Sequence, residues 1–129
     1  MGGTLSLVYV LAGGAAGTLA RWYLSQWIQS TSGVRHFPLG TLLINLSGSF
    51  VLGLVARLGA DATAMSPQVR DGLTVGLCGA FTTMSTFSYE SLQLLGEGDY
   101  ARAGLYMGGT VVGCLAAVVV GSLVASRIL

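Results

Sequence analysis

Residues 76–90 read "GLCGAFTTMSTFSYE" and sit almost wholly within an uncharged run, 72–89. Five of the seven residues from Thr82 to Ser88 carry hydroxyls, and Gly76 and Gly79 come just before them. Glycine weakens a helix by roughly 1 kcal/mol relative to alanine, and serine and threonine offer the backbone competing hydrogen bonds. A segment apolar enough for lipid, yet polar and breakable at its centre, predicts a membrane helix interrupted near 79–83. Gly79 is the residue expected to supply the backbone angles of the break.

The rest of the chain supports a membrane setting. Only 9% of its 129 residues are charged, 53% are hydrophobic, 20 are glycine and none is lysine. A soluble domain carries about 25% charged residues, so lipid is expected to cover much of this surface. Charge-free runs at 1–20, 37–56, 72–89 and 103–126 match the length of about 20 residues that spans a hydrocarbon core. They predict an all-α membrane protein, one integral domain over 1–129, with transmembrane helices at about 4–28, 38–58, 68–95 and 100–126. The N-terminal run lacks a basic flank and is expected to be a span rather than a cleaved signal.

Orientation is balanced. With four spans, Arg57, Arg70 and Arg127 fall on one side and Arg21, Arg35 and Arg102 on the other, so the positive-inside rule gives no direction. Either another feature orients the chain, or it inserts both ways and pairs with an inverted copy. The second reading, an antiparallel dual-topology homodimer, is favoured by the prevalence of two-fold dimers and of inverted pairs in transport proteins. Small residues four apart (Gly13 and Gly17, Gly72 and Gly76, Gly104 and Gly108, and the ridge Gly109, Gly113, Ala117, Gly121) predict close helix contacts in lipid.

The polar residues do not form an enzyme. The single histidine, His36, lies in a loop without a nucleophile or carboxylate arranged around it, and no phosphate-binding loop or zinc-ligand cluster occurs. A net charge of +1 argues against nucleic acid as a partner. Cys78 and Cys114 fall within spans as small buried side chains. Glu90 is the deepest acid, expected to reach the interface or a polar neighbour. Asn45 sits mid-span and needs hydrogen-bond partners, as helix glue or as a cavity lining. Tyr106, Thr110 and Cys114 form one polar stripe on the last span. Arg21, two turns before the end of the first, either snorkels to the interface or stands in a water-filled mouth that draws in anions. Neutral donors, with the positive edge of Phe87, suit a narrow path for a small anion.

Three elements in order, "GGAAGTLARW" (13–22), "GTLLINLSGSF" (40–50) and "GLCGAFTTMSTFSYE" (76–90), resemble the Fluc (CrcB-type) fluoride channels of microbes over essentially the whole chain. The third is the most specific, being close to that family's TTFSTFS signature. The resemblance implies a passive, fluoride-selective channel in the cell inner (plasma) membrane, a multi-pass antiparallel homodimer with two pathways that exports toxic fluoride. By that resemblance Asn45 is the pore asparagine, and Met84 and Phe87 take the places of two pore phenylalanines, accompanied by Ser85 and Thr86. Tyr106, Thr110 and Cys114 form a polar track that Thr41 extends, and Arg21 stands at the vestibule. The resemblance also implies a structural sodium ion on the two-fold axis, in contact with the backbone carbonyls of Gly79 and Thr82. Met84 departs from the pattern, since a thioether lacks the ring's positive edge. The alternative weighed is a small dual-topology, proton-coupled multidrug-type exporter, which uses a carboxylate in its first span; here that span has none.

Overall fold

A computed structural model describes residues 2–61 and 63–129. Helix α1 is Gly2–Thr31 and α2 is Leu39–Leu58. The third apolar stretch begins as α3 (Pro67–Asp71), continues as a π-helical segment (Gly72–Cys78) and ends in a single turn, α4 (Gly79–Phe81). After two extended residues it resumes as α5 (Met84–Gly96), and α6 is Tyr100–Ser126. Among the described residues there is no strand. Gly3–Thr31, Leu39–Leu58 and Tyr100–Ser126 are each long and apolar enough to cross a membrane, and the chain is a multi-pass membrane protein. Large apolar side chains face outward as lipid requires: Leu11, Trp27, Leu105 and Leu123 are exposed.

The helix ends follow local chemistry. The Ser66 hydroxyl accepts from the Val69 N–H at the start of α3, with Pro67 in the first helical position, where its missing N–H costs nothing. Asp99 caps α6 by accepting from the Arg102 N–H and pairs with the Arg102 guanidinium at 3.0 Å. Gly98, at φ 75°, supplies the left-handed turn between α5 and α6. The loop after α1 is tied down by Gln29. Its Nε2 donates to the carbonyls of Val34 and Phe37, and its Oε1 accepts from the Gly40 N–H.

Two backbone-to-backbone seams build the protomer. Along the first, α1 lies against α3 and the π-helical segment, and a methyl group at Gly13 or Gly17 would overlap the carbonyl oxygen of Gly72 or Leu77. Along the second, α2 and α6 run in the same direction, with Gly53 against the Val118 carbonyl and Gly121 against that of Phe50. With no hydrophobic drive between helices in lipid, such contacts supply the packing energy. The small ridge of α6 divides: Gly113 and Gly121 meet α2, whereas Gly104, Gly108 and Gly109 have nothing within 4 Å of where a side chain would begin.

The interruption differs in detail from the sequence expectation. Gly79 is an ordinary helical residue, at φ −62° and ψ −38°, and its N–H reaches the Thr74 carbonyl five residues back. The chain leaves the helix at Thr82 (φ −82°, ψ 157°) and Thr83 (φ −148°, ψ 113°). Both are extended conformations that β-branched residues prefer, so threonine rather than glycine makes the break.

The seams predict which glycines matter to the protomer. Gly121→Val should lower stability by about 1–3 kcal/mol or more through overpacking, whereas Gly96→Ala, at a position with nothing within 4 Å, should leave it unchanged. Thermal unfolding in detergent measures both.

Candidate functional site

The break leaves backbone groups that the membrane cannot satisfy, and Asn45 meets them. Its Oδ1 accepts from the Thr83 N–H at 2.8 Å, and its Nδ2 donates to the Thr83 carbonyl at 3.2 Å. One side-chain amide thus replaces both helical partners of one residue. The Thr83 hydroxyl caps α5, accepting from the Thr86 N–H at 3.2 Å and donating to the Thr86 hydroxyl at 2.9 Å. On the other side, Thr82 closes α4 by donating its N–H and hydroxyl to the Cys78 carbonyl. Arg21 Nε donates to the Ala80 carbonyl at 3.0 Å. A guanidinium at a helix C-terminal end meets the negative pole of the dipole. The two ends are therefore polarised oppositely: carbonyls and Arg21 at the end of α4, amide N–H groups at the start of α5.

Beside the start of α5 lies a groove of about 380 Å³. Its walls come from α2 (Asn45, Ser49, Leu52), the break and α5 (Thr82, Thr83, Met84, Phe87) and α6 (Thr110, Cys114, Val118 among others). Thr110 is 6% exposed, and its hydroxyl is buried without a hydrogen-bond partner. A threonine in a helix normally donates back to its own helix, as Thr74 does to Arg70. An orphan hydroxyl is costly in the interior, about 1–3 kcal/mol, and marks a place where something polar belongs.

Beyond Phe87 the groove gives way to a hydrogen-bonded cluster. Glu90 accepts from the Thr41 hydroxyl at 2.9 Å and from the Tyr106 hydroxyl at 2.6 Å, one on each carboxylate oxygen. The Tyr106 ring is fully buried between Phe37, edge-on at 5.6 Å, and Phe87, tilted at 5.3 Å. Glu90 also lines a more polar pocket of about 300 Å³ with Arg35, His36, Gln93 and Glu97. The polar cluster therefore reaches from the membrane interior to the loops.

The structure brings Asn45, Met84, Phe87, Thr110 and Cys114 to one groove, and Thr41 and Tyr106 to Glu90. Ser85 and Thr86 are not in the groove lining; Ser85 is exposed, and Thr86 is turned back onto Thr83. Arg21 is held at the break rather than among the groove residues. Glu90 has the polar neighbours its depth required, and the identity of those partners was hidden only because they lie on other helices. The spacing Phe87, Glu90, Ser91, Leu94 puts one face of α5 inward, which is the signal for it. Thr83 lay within the hydroxyl run, but nothing in the run singles it out as the partner of Asn45.

Asn45→Ala should leave the Thr83 N–H and carbonyl unpaired, lowering stability by about 1–3 kcal/mol. Amide hydrogen exchange at Thr83 should accelerate while that of α6 stays slow.

Comparison with known proteins adds to this geometry. The family model described as CrcB-like protein, camphor resistance (CrcB), matches residues 8–122. The chain is similar to the fluoride-specific ion channel FluC of Methylococcus capsulatus, 45% identical over 124 residues, which is 96% of this chain and 54% of that protein. It thus spans about half the length of that relative. The FluC proteins of Geotalea uraniireducens (39% over 123 residues, 95% and 98% covered) and Sorangium cellulosum (43% over 117 residues, 91% of each) match along nearly their whole length.

Proposed function

Because this chain belongs to the CrcB family, we propose that it is a fluoride-selective passive ion channel of the cell inner membrane, letting toxic fluoride leave down its gradient. The observation that carries the reading is the buried, unpartnered Thr110 hydroxyl facing a groove shared with Asn45 and Phe87. Fluoride holds its water tightly, so a pathway must offer donors in exchange. Hydrogen bonds to a charged group contribute about 1.5–3 kcal/mol each. Thr110 offers an O–H; Asn45 has a second N–H beyond the one given to Thr83. The N-terminus of α5 adds positive potential, and the rim of Phe87 adds the positive edge of its quadrupole. Met84 lines the same groove as a polarizable but weaker contact. Nothing in this path is consumed or transformed, and the channel is not an enzyme.

One protomer makes half of the assembly. Met84 is 72% exposed and the groove is open along that side, while Gly104, Gly108 and Gly109 on α6 have no neighbour. Together with the even split of arginines, these support a second, inverted copy of the chain as the missing wall, giving an antiparallel homodimer with two pores. The carbonyls of Gly79 and Thr82 accept no hydrogen bond among the described residues, and neutral carbonyl oxygens are the donor type that discontinuous helices give to sodium. They fit a structural sodium ion shared by both protomers, which would add a fixed positive charge at the two-fold axis. Arg21 and the Asn45–Thr83 pair would keep those carbonyls in place.

Purified protein in fluoride-loaded liposomes should release fluoride rapidly once a potassium ionophore clears the counter-charge, with chloride far slower and no proton gradient needed. Phe87→Ile should slow this flux at least tenfold with the fold intact, and Met84→Phe should remain active. Proton-coupled efflux of organic cations, or fluoride flux unchanged in Phe87→Ile, would overturn the reading.

A further inference from the structure

Two polar ladders enter the groove side by side. On α2, Thr41, Asn45 and Ser49 are four residues apart; on α6, Tyr106, Thr110 and Cys114 keep the same spacing. Four residues turn a helix by about 400°, so a ladder drifts only about 40° per step. Because α2 and α6 run in the same direction, equal spacing pairs the ladders into rungs: Thr41 with Tyr106, Asn45 with Thr110, Ser49 with Cys114. The offset continues into the seam, where Gly53 meets the backbone of Val118.

The first rung is fully paired and the second only in part. At the first, Thr41 and Tyr106 both donate to Glu90. At the second, Asn45 holds the break and Thr110 keeps its orphan hydroxyl. The third is unassigned. Ser47, on the outer side of α2, donates to the carbonyls of Leu43 and Ile44. Ser49 makes no such bond among the described residues and lines the groove. Its rung partner Cys114 offers only a thiol, a weak donor. Past this rung the lining turns apolar at Leu52, Leu115 and Val118.

The geometry points to Ser49 as an anion-coordinating residue, the hydroxyl donor of a third rung that takes a small hard anion at the apolar end of the groove. The inference rests on the channel reading above. An anion shedding its water between this apolar end and the second rung needs one strong donor before it reaches Asn45 and Thr110, and at this level Cys114 offers only a weak one. Ser49 carries the donation that a hydroxyl on α6 would otherwise share.

The exchange of hydroxyl between the two helices is the test. Ser49→Ala in liposomes should cut fluoride flux about tenfold, and adding Cys114→Ser should restore it to within about twofold of the wild type. A merely structural serine would not be rescued by a hydroxyl on another helix. Ser47→Ala should conduct like the wild type, and Ser49→Cys, isosteric but a weak donor, serves where alanine lowers the yield. Wild-type flux in Ser49→Ala, or failure of the Cys114→Ser rescue in protein with unchanged thermal unfolding, overturns the third rung and leaves the channel reading standing. A wild-type protein that carries no fluoride overturns both.

Discussion

A pair of hydrogen bonds between the Asn45 side chain and the Thr83 peptide unit holds the interrupted helix together. Extended backbone within a membrane is tolerable only where protein or a cavity satisfies it. Thr82 and Thr83 are such backbone, extended within the third apolar stretch and lining the groove. Asparagine is suited to the task because its amide has the donor and acceptor of a peptide in one plane. Serine or threonine at the same place could serve one group of Thr83 but not both at once. By meeting both, Asn45 fixes α5 relative to α2 and puts Phe87 and the start of α5 against the groove.

That fixed point has a consequence for the rest of the fold. The contact between α2 and α5 is otherwise sparse, so α5 is tied to α2 by Asn45 at one end and by Thr41 on Glu90 further along, while Phe87 and Leu94 pack it onto α6. The firm frame is the α2–α6 seam, where glycines bring backbone onto backbone. Interior packing of that kind admits little adjustment. The polar ladders of α2 and α6 are therefore in register because the glycines beside them are, and packing sets the geometry that chemistry then uses.

Much of this was legible in the sequence. Charge-free runs located the helices because lipid tolerates few charges, and the hydroxyl cluster located the interruption within a few residues. The stripe Tyr106, Thr110, Cys114 was visible because one helix carries it. What the sequence did not disclose were relations between helices: that Asn45 pairs with Thr83, that Glu90 joins Thr41 and Tyr106, and that Arg21 reaches the Ala80 carbonyl. Periodicity reports one face of one helix and is silent on which face it meets. The expectation that Gly79 supplies the angles of the break is not met, for a different reason. A glycine beside a break invites the inference that it bends there, yet two threonines in extended conformation do so without any positive φ.

A broken helix also solves an electrostatic problem that a continuous one cannot. An intact membrane helix presents its poles only at the two surfaces, where water screens them. Interrupting it at Thr82 and Thr83 creates a second pair of poles at mid-membrane, in a low dielectric where each acts more strongly. The carbonyl pole of α4 faces Arg21, so its negative potential is compensated on that side. The amide pole of α5 faces the groove with no carboxylate among the lining residues. The one acid nearby, Glu90, is a turn beyond Phe87, with each oxygen occupied by a hydroxyl donor. For the channel proposed above, such a lining would favour an anion without a cationic side chain, and so without the tight ion pair that would hold an anion instead of passing it on.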